Sequence, residues 1–387
     1  MLRNLLLLLG FAVLLSGCLP ASGPTAEAIV EESRKGDDAP YQLVDIDSRI
    51  ADLLHARSAA SLSQSFRNTS PPPEPSIGVG DSLAVTIWEA GPGGLFSAQL
   101  TRDGLPSGPK SATIPEQVVG TDGTITVPYA GRLKVAGRSV GQVEDMIVAS
   151  LTGKAIEPQV LVSIVRSVSN STTVLGEVVR GSRVALSPRG DRVLDVIATA
   201  GGASSPLGET FVRLTRDGRT ETVALSTIVA RPTENIYVRP GDSLVVVRDP
   251  QTYVILGASG VQAEIPFNAD GITLAQALAK AGGLADMRAN PTGVFVFRYE
   301  LANRFASEGP APMDANGAFP VVYRLNMRDP NSLFLAQRFP IEDMDLIYVS
   351  NASITDVQKG FQIFQSLTAP VATGIGTYAI AADVRNN

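Results

Sequence analysis

Side chains that commonly carry enzymatic chemistry are scarce in this chain: 387 residues include one histidine and one cysteine. His55 has no second imidazole to share a metal or a proton with. No G-x-x-x-x-G-K-[ST] loop is present to cradle phosphate, and Gly78-x-Gly80 reads as a turn. Asp343 and Asp345 are spaced so that two carboxylates could serve acid–base sugar chemistry. They occupy an acidic turn that recurs elsewhere in the chain, so the structural role is the expectation. These absences predict a protein that is not an enzyme, with no metal site and no cofactor. The net charge of -6 leaves no basic patch to neutralise phosphates, so nucleic acid is not an expected partner.

Cys18 is the remaining reactive group. Residues 1–17 combine a basic start (Arg3) with an apolar run, Leu5 to Leu15, too short to cross a hydrocarbon core of about 30 Å. They read as a cleaved export signal. Ser16-Gly17 directly before Cys18 resembles a bacterial lipobox, which predicts acylation of that thiol, palmitate included, and Leu19 after it predicts sorting to the outer membrane. A lone thiol is otherwise out of place in an oxidising compartment. With Cys18 modified, no internal disulfide can form.

The elements behind these residues are short. Thirty-six glycines and 26 prolines favour strands and turns over long helices. Residues 18–74 read as a polar tether, with helical spacing at Ile46, Ile50, Leu53 and Leu54, closed by the stiff run Pro71 to Pro75. Residues 75–168 read as one α+β unit. Gly80-Asp81 turns into the β-rich run Leu83 to Trp88, and Gly91 to Gly120 reads as a long excursion of little periodicity. Asp122-Gly123 then starts a hairpin through Pro128 and Gly131. Ser139 and Gln142 form a capping box for a helix to Leu151, and Val160 to Val165 is a buried-strand run.

A duplication follows. Gly176 precedes Gly201-Gly202 by 25 residues, and Gly257 precedes Gly282-Gly283 by the same interval. Each glycine pair ends a helix-like stretch, where left-handed caps favour glycine. Each copy closes on a strand behind an acidic turn, at Asp242 and at Asp345. Residues 169–250 and 251–350 are therefore read as sister α+β domains.

Residues 351–387 differ. Ile354, Val357, Phe361 and Phe364 recur at helical spacing, with glutamines off the stripe, and Tyr378 is the one interfacial aromatic further on. About 30 residues at 1.5 Å each are long enough to cross a bilayer. One helix with a glutamine-lined side leaves polar groups unsatisfied in lipid, whereas a ring enclosing water does not.

Together the order Ile77 to Trp88, Asp122 to Gly131, Val135 to Ser139 and Pro158-Gln159-Val160 resembles the polysaccharide export domain of Wza-like outer-membrane proteins. The two glycine copies resemble the ligand-binding β-grasp (SLBB) domains that follow it in that family. The insert after Trp88, with Pro115-Glu116-Gln117, is similar to the branch that works with an ATP-driven inner-membrane transporter. The resemblance implies a lipoprotein subunit of a homo-oligomeric channel, an octamer in the family, that passes capsular or extracellular polysaccharide through the outer membrane. It implies C-terminal helices forming an α-helical barrel in outer-membrane lipid, and an inner-membrane co-polymerase or ABC exporter as partner. The alternative is a monomeric lipoprotein that binds glycan or peptidoglycan. A secretin-like pore would need a run of alternating strands after residue 350, and none is present.

Overall fold

The computed structural model describes residues 23–58, 61–66, 70–89, 95–96, 111–301 and 317–352. Cys18, the signal segment and the predicted membrane helix with Ile354, Val357, Phe361, Phe364 and Tyr378 lie outside the described residues. Two compact units make up the chain: residues 60–249, and residues 250–387 together with 1–59.

The first elements are helix α1 (Ala26–Glu32), strand β1 (Gln42–Asp45), helix α2 (Ser48–Ser58) and the single turn α3 (Leu62–Ser65). Thr25 caps α1 by accepting from the Ala28 amide, a bond that satisfies one orphan donor of the first turn.

Strand β2 (Ser82–Trp88) lies centrally between β3 (Ser111–Val118) and β6 (Gln159–Arg166), antiparallel to both. A hairpin, β4 (Thr124–Val127) and β5 (Gly131–Lys134), and helix α4 (Val140–Leu151) complete this part. The Ser139–Gln142 capping box closes reciprocally at the start of α4. Val143, Ile147 and Leu151 are fully buried against Leu83, Val85 and Ile87, each stabilising the fold by about 1.5–3 kcal/mol. Strand β3 corrects the expectation of an irregular excursion up to residue 120. It is an edge strand that carries Pro115 beside a register shift. Proline is tolerated in a sheet at such places, and it hides the strand pattern.

Residues 171–248 form a five-stranded sheet. In chain order come β7 (Ser171–Gly176), β8 (Ser182–Ala185), helix α5 (Val193–Thr199), β9 (Thr210–Arg216), β10 (Arg219–Ala224), helix α6 (Leu225–Ala230) and β11 (Ser243–Arg248). The spatial order is β10-β9-β11-β7-β8, with β11 parallel to β7. Leu62 and Phe66, on and just after α3, are buried in its core.

The second unit repeats that plan with β12 (Gln251–Gly257), β13 (Ala263–Phe267), the short β14 (Ile272–Thr273), helix α7 (Leu274–Lys280), β15 (Ala289–Leu301), β16 (Ala318–Leu325), helix α8 (Asn331–Arg338), β17 (Pro340–Ile341) and β18 (Asp345–Asn351). Its order, β16-β15-β18-β12-β13, matches the first sheet strand for strand, with β1 added in parallel outside β16. One face packs on α2, α7 and α8. The other is covered by α1, whose Ala26 and Ile29 meet Phe295, Val322 and Tyr348. Burial on both faces explains why Val294, Phe295 and Val296 are consecutive and all fully buried.

This is the main departure from the sequence reading. Part of the segment expected to be a tether, residues 18–74, is folded structure. Its composition is polar because α1 and β1 contribute only narrow apolar stripes, and their partners are roughly 270 residues away in sequence.

Candidate functional site

The motif residues of the 75–168 segment fall at two ends of one small sheet. At the first end Gly80 has φ +87°, and the Asp81 carboxylate behind it is fully buried. It accepts from the Gly78 amide (2.8 Å), the Val168 and Ser169 amides (2.7 and 2.8 Å) and the Ser169 hydroxyl (2.6 Å). Asp81 thus fastens the strand that enters this part to the segment that leaves it. Burial raises the carboxyl pKa, but the four hydrogen bonds outweigh it and hold Asp81 below its ordinary value.

Asp122 and Gly123 form the turn at the same end. Asp122 accepts from the Thr124 amide and hydroxyl and from Arg132 Nη2 at 2.6 Å, and these partners hold its carboxyl below the ordinary range. A side chain on Gly123, at φ +74°, would run into Ala136. At the opposite end lie Trp88 and the hairpin tip, with Pro128 and Tyr129 exposed and Gly131 at φ +83°. The Tyr129 ring meets Phe96 edge-on at 5.4 Å. Trp88 and Pro128 are therefore separated from Asp81 by the length of β2.

Each set of repeat glycines has a definite task. Gly176 and Gly257 both have φ +88° and lie opposite Val246 and Val349, whose carbonyl oxygens occupy the space a Cβ would take. Gly201-Gly202 and Gly282-Gly283 end α5 and α7 in the left-handed region, their amides donating to Ala198 and Ile197, and to Ala279 and Leu278.

Three buried features were not legible in the sequence. Arg216 on β9 forks onto Asp242, with Nη2 to Oδ2 at 2.7 Å and Nε to Oδ1 at 3.0 Å, and also donates to the Tyr237 carbonyl. Arg298 on β15 repeats this with Asp345, at 2.5 and 2.7 Å, and donates to the Pro340 carbonyl. In each copy the aspartate also accepts from the amide three residues earlier, Arg239 or Glu342. Gly78 and Asp81 share that local bond, so one acidic turn occurs three times. Its left-handed residue is Gly80, Gly241 and, in the third, Met344 at φ +64°. The aspartates were visible from the turns, but nothing marked arginines 26 and 47 residues distant. The third feature is Glu234, which accepts from the Leu62 and Ser63 amides and the Ser61 and Ser63 hydroxyls. Burial opposes its charge, yet these donors leave the Glu234 carboxyl below its usual value.

A pH dependence follows. Carboxyls depressed in the folded state contribute stability that is complete above the unfolded value of about 4 and lost as pH falls through the folded value. Amides of Gly78, Val168, Leu62 and Ser63 are expected to lose hydrogen-exchange protection together below about pH 4. In Asp81→Asn the first two should be weakly protected even at neutral pH.

Among the described residues no group of three or more His, Cys, Asp or Glu is placed to hold a metal. Among them, too, no helix is long and apolar enough to cross a membrane, which says nothing of strands. The arrangement defines a class: a small α+β domain followed by two α+β modules of one strand order, each with a buried arginine–aspartate pair. The model for polysaccharide biosynthesis/export proteins matches residues 69–165, and that for the SLBB domain matches 251–349. The chain is 36% identical over 378 residues to the capsule polysaccharide export protein BexD of Haemophilus influenzae, covering 94% of this chain and 95% of that one. It is 36% identical to the capsule polysaccharide export outer membrane protein CtrA of Neisseria meningitidis, covering 95% of each. It is 28% identical over 365 residues to the Vi polysaccharide export protein VexA/TviF of Salmonella typhi, covering 94% of this chain and 97% of that one. The chain belongs to this family of capsule polysaccharide export proteins.

Proposed function

We propose that this chain is a subunit of an outer-membrane channel through which capsular or extracellular polysaccharide leaves the cell, with no catalytic step of its own. The observation that carries the reading is relatedness to capsule exporters along almost the whole chain. Residues 75–168 act as the export domain, and 169–250 and 251–350 as two SLBB domains. Identical strand order in the two sheets supports counting the first as SLBB as well. Cys18 carries the lipid, the residues between it and α1 link it to the second unit, and 351–387 forms the membrane helix of a ring, eightfold in expectation. Energy comes from an inner-membrane ABC exporter or co-polymerase.

One feature of the second unit favours this arrangement. The Tyr348 hydroxyl donates to the Pro24 carbonyl at 2.8 Å, and the Ala352 amide donates to Arg288. The described chain thus begins beside Tyr348, four residues before its last described position, Ala352. Light scattering of the detergent-extracted protein, with and without residues 354–387, tests the reading. A multi-subunit ring whose membrane insertion is lost on truncation is the expected result. A monomer unaffected by truncation would overturn it in favour of a glycan-binding lipoprotein.

A further inference from the structure

The three-stranded sheet of the export domain is buried on one face only. Leu83, Val85, Ile87, Ile114 and Val162 point into the core. Alternation along the strands sends Ala84, Thr86 and Trp88, Thr113, and Gln159, Leu161 and Ser163 to the other face. Trp88 is 37% exposed and Leu161 49%. The register places Gln159 opposite Trp88, Leu161 and Thr113 on either side of Thr86, and Ser163 opposite Ala84. The Thr86 and Thr113 hydroxyls are 3.5 Å apart. Not one of these seven positions is charged, although the chain carries 38 acidic residues.

We infer that this face is a contact track for the exported glycan. The inference rests on the export reading above and adds the site at which the polymer touches the protein. A pyranose ring has an apolar C–H face and a girdle of hydroxyls. An indole supplies a flat apolar platform with one donor, and threonine, serine and glutamine side chains supply both donors and acceptors. With no carboxylate at any of these seven positions, the track itself does not repel an acidic sugar; Glu116, exposed in the irregular stretch of β3 near Ala84, bounds it at one end. The track extends about 14 Å along β6 from Gln159 to Ser163, enough for a few sugar units held weakly and in sequence. Few strong polar anchors are present, so each unit can be released as the next arrives.

The chain has a single tryptophan, so its emission reports this face alone. The full-length protein in detergent is titrated with maltoheptaose and, separately, with a hexamer of sialic acid, using sorbitol as control. The expected result is a saturable change in emission and protection from acrylamide quenching with either saccharide and none with sorbitol. Thr86→Val, which removes one hydroxyl at nearly constant volume, should weaken binding about fivefold, equivalent to one hydrogen bond of about 1 kcal/mol. Emission that ignores both saccharides overturns the inference. So does emission that responds only to protein concentration, which marks the face as a contact between copies. A strain lacking the gene separates the two readings. If wild-type protein restores surface polysaccharide while Trp88 never responds to saccharide, export stands and the track falls.

Discussion

Gly257→Ala is expected to unfold the sheet of the second unit locally or cost about 3–5 kcal/mol, because two penalties coincide. The residue sits at φ +88°, where an L side chain is strained, and its Cβ would overlap the carbonyl oxygen of Val349 on the adjacent strand. That oxygen also accepts from the Ala258 amide at 2.7 Å, so it cannot retreat without breaking the ladder. Gly283→Ala provides the comparison. It has φ +76° but nothing within 4 Å of a new Cβ, so only the conformational cost of about 1 kcal/mol should appear. Amide exchange across β12 and β18 separates the two variants. Equal losses would mean that the close approach to Val349 has no energetic weight.

Arg298→Ala should destabilise the same sheet by about 3–5 kcal/mol. Arg298 is 7% exposed and faces Asp345 and Glu300, at 1% and 3%. Its guanidinium lies over the Tyr323 and Phe339 rings, 5.6 and 5.5 Å from their centroids. Burial opposes the arginine's charge, but Asp345 and Glu342 outweigh that effect and raise its pKa. Without it two carboxylates remain buried with no counter-charge. Burial already pushes the Asp345 carboxyl up, and it pushes the Tyr323 hydroxyl up further with help from Glu300. A raised carboxyl costs stability once pH exceeds its unfolded value, so the variant's defect should shrink as pH falls toward 4. Replacing the pair together, Arg298→Met with Asp345→Leu, should recover the share of the loss that comes from Asp345, while Glu300 stays buried without its counter-charge. A double variant as unstable as Arg298→Ala would show that the ring contacts and the Pro340 carbonyl dominate instead.

How far each feature could be read in advance follows from the range of the interaction behind it. Capping at Ser139 uses Gln142, three residues on, and the box forms as the spacing demands. Left-handed glycines at 123, 201 and 282 are local backbone requirements, visible wherever a helix or hairpin must end. The same locality exposed the duplication, because equal spacing between glycines survives even where the side chains between them differ. Strand β3 was hidden because an edge position with a register shift accepts Pro115, which breaks the pattern a strand normally shows.

The α+β class, the duplication and the scarcity of catalytic groups were all accessible from residue order, since turn chemistry and hydrophobic period act over a few residues. Only the tertiary structure decided that α1 and β1 belong to the second sheet, that Glu234 grips residues 61–63, and that Arg216 and Arg298 pair with Asp242 and Asp345. These contacts join residues tens to hundreds of positions apart. Their free energy comes from desolvation and geometry at the point of meeting, which no local pattern records.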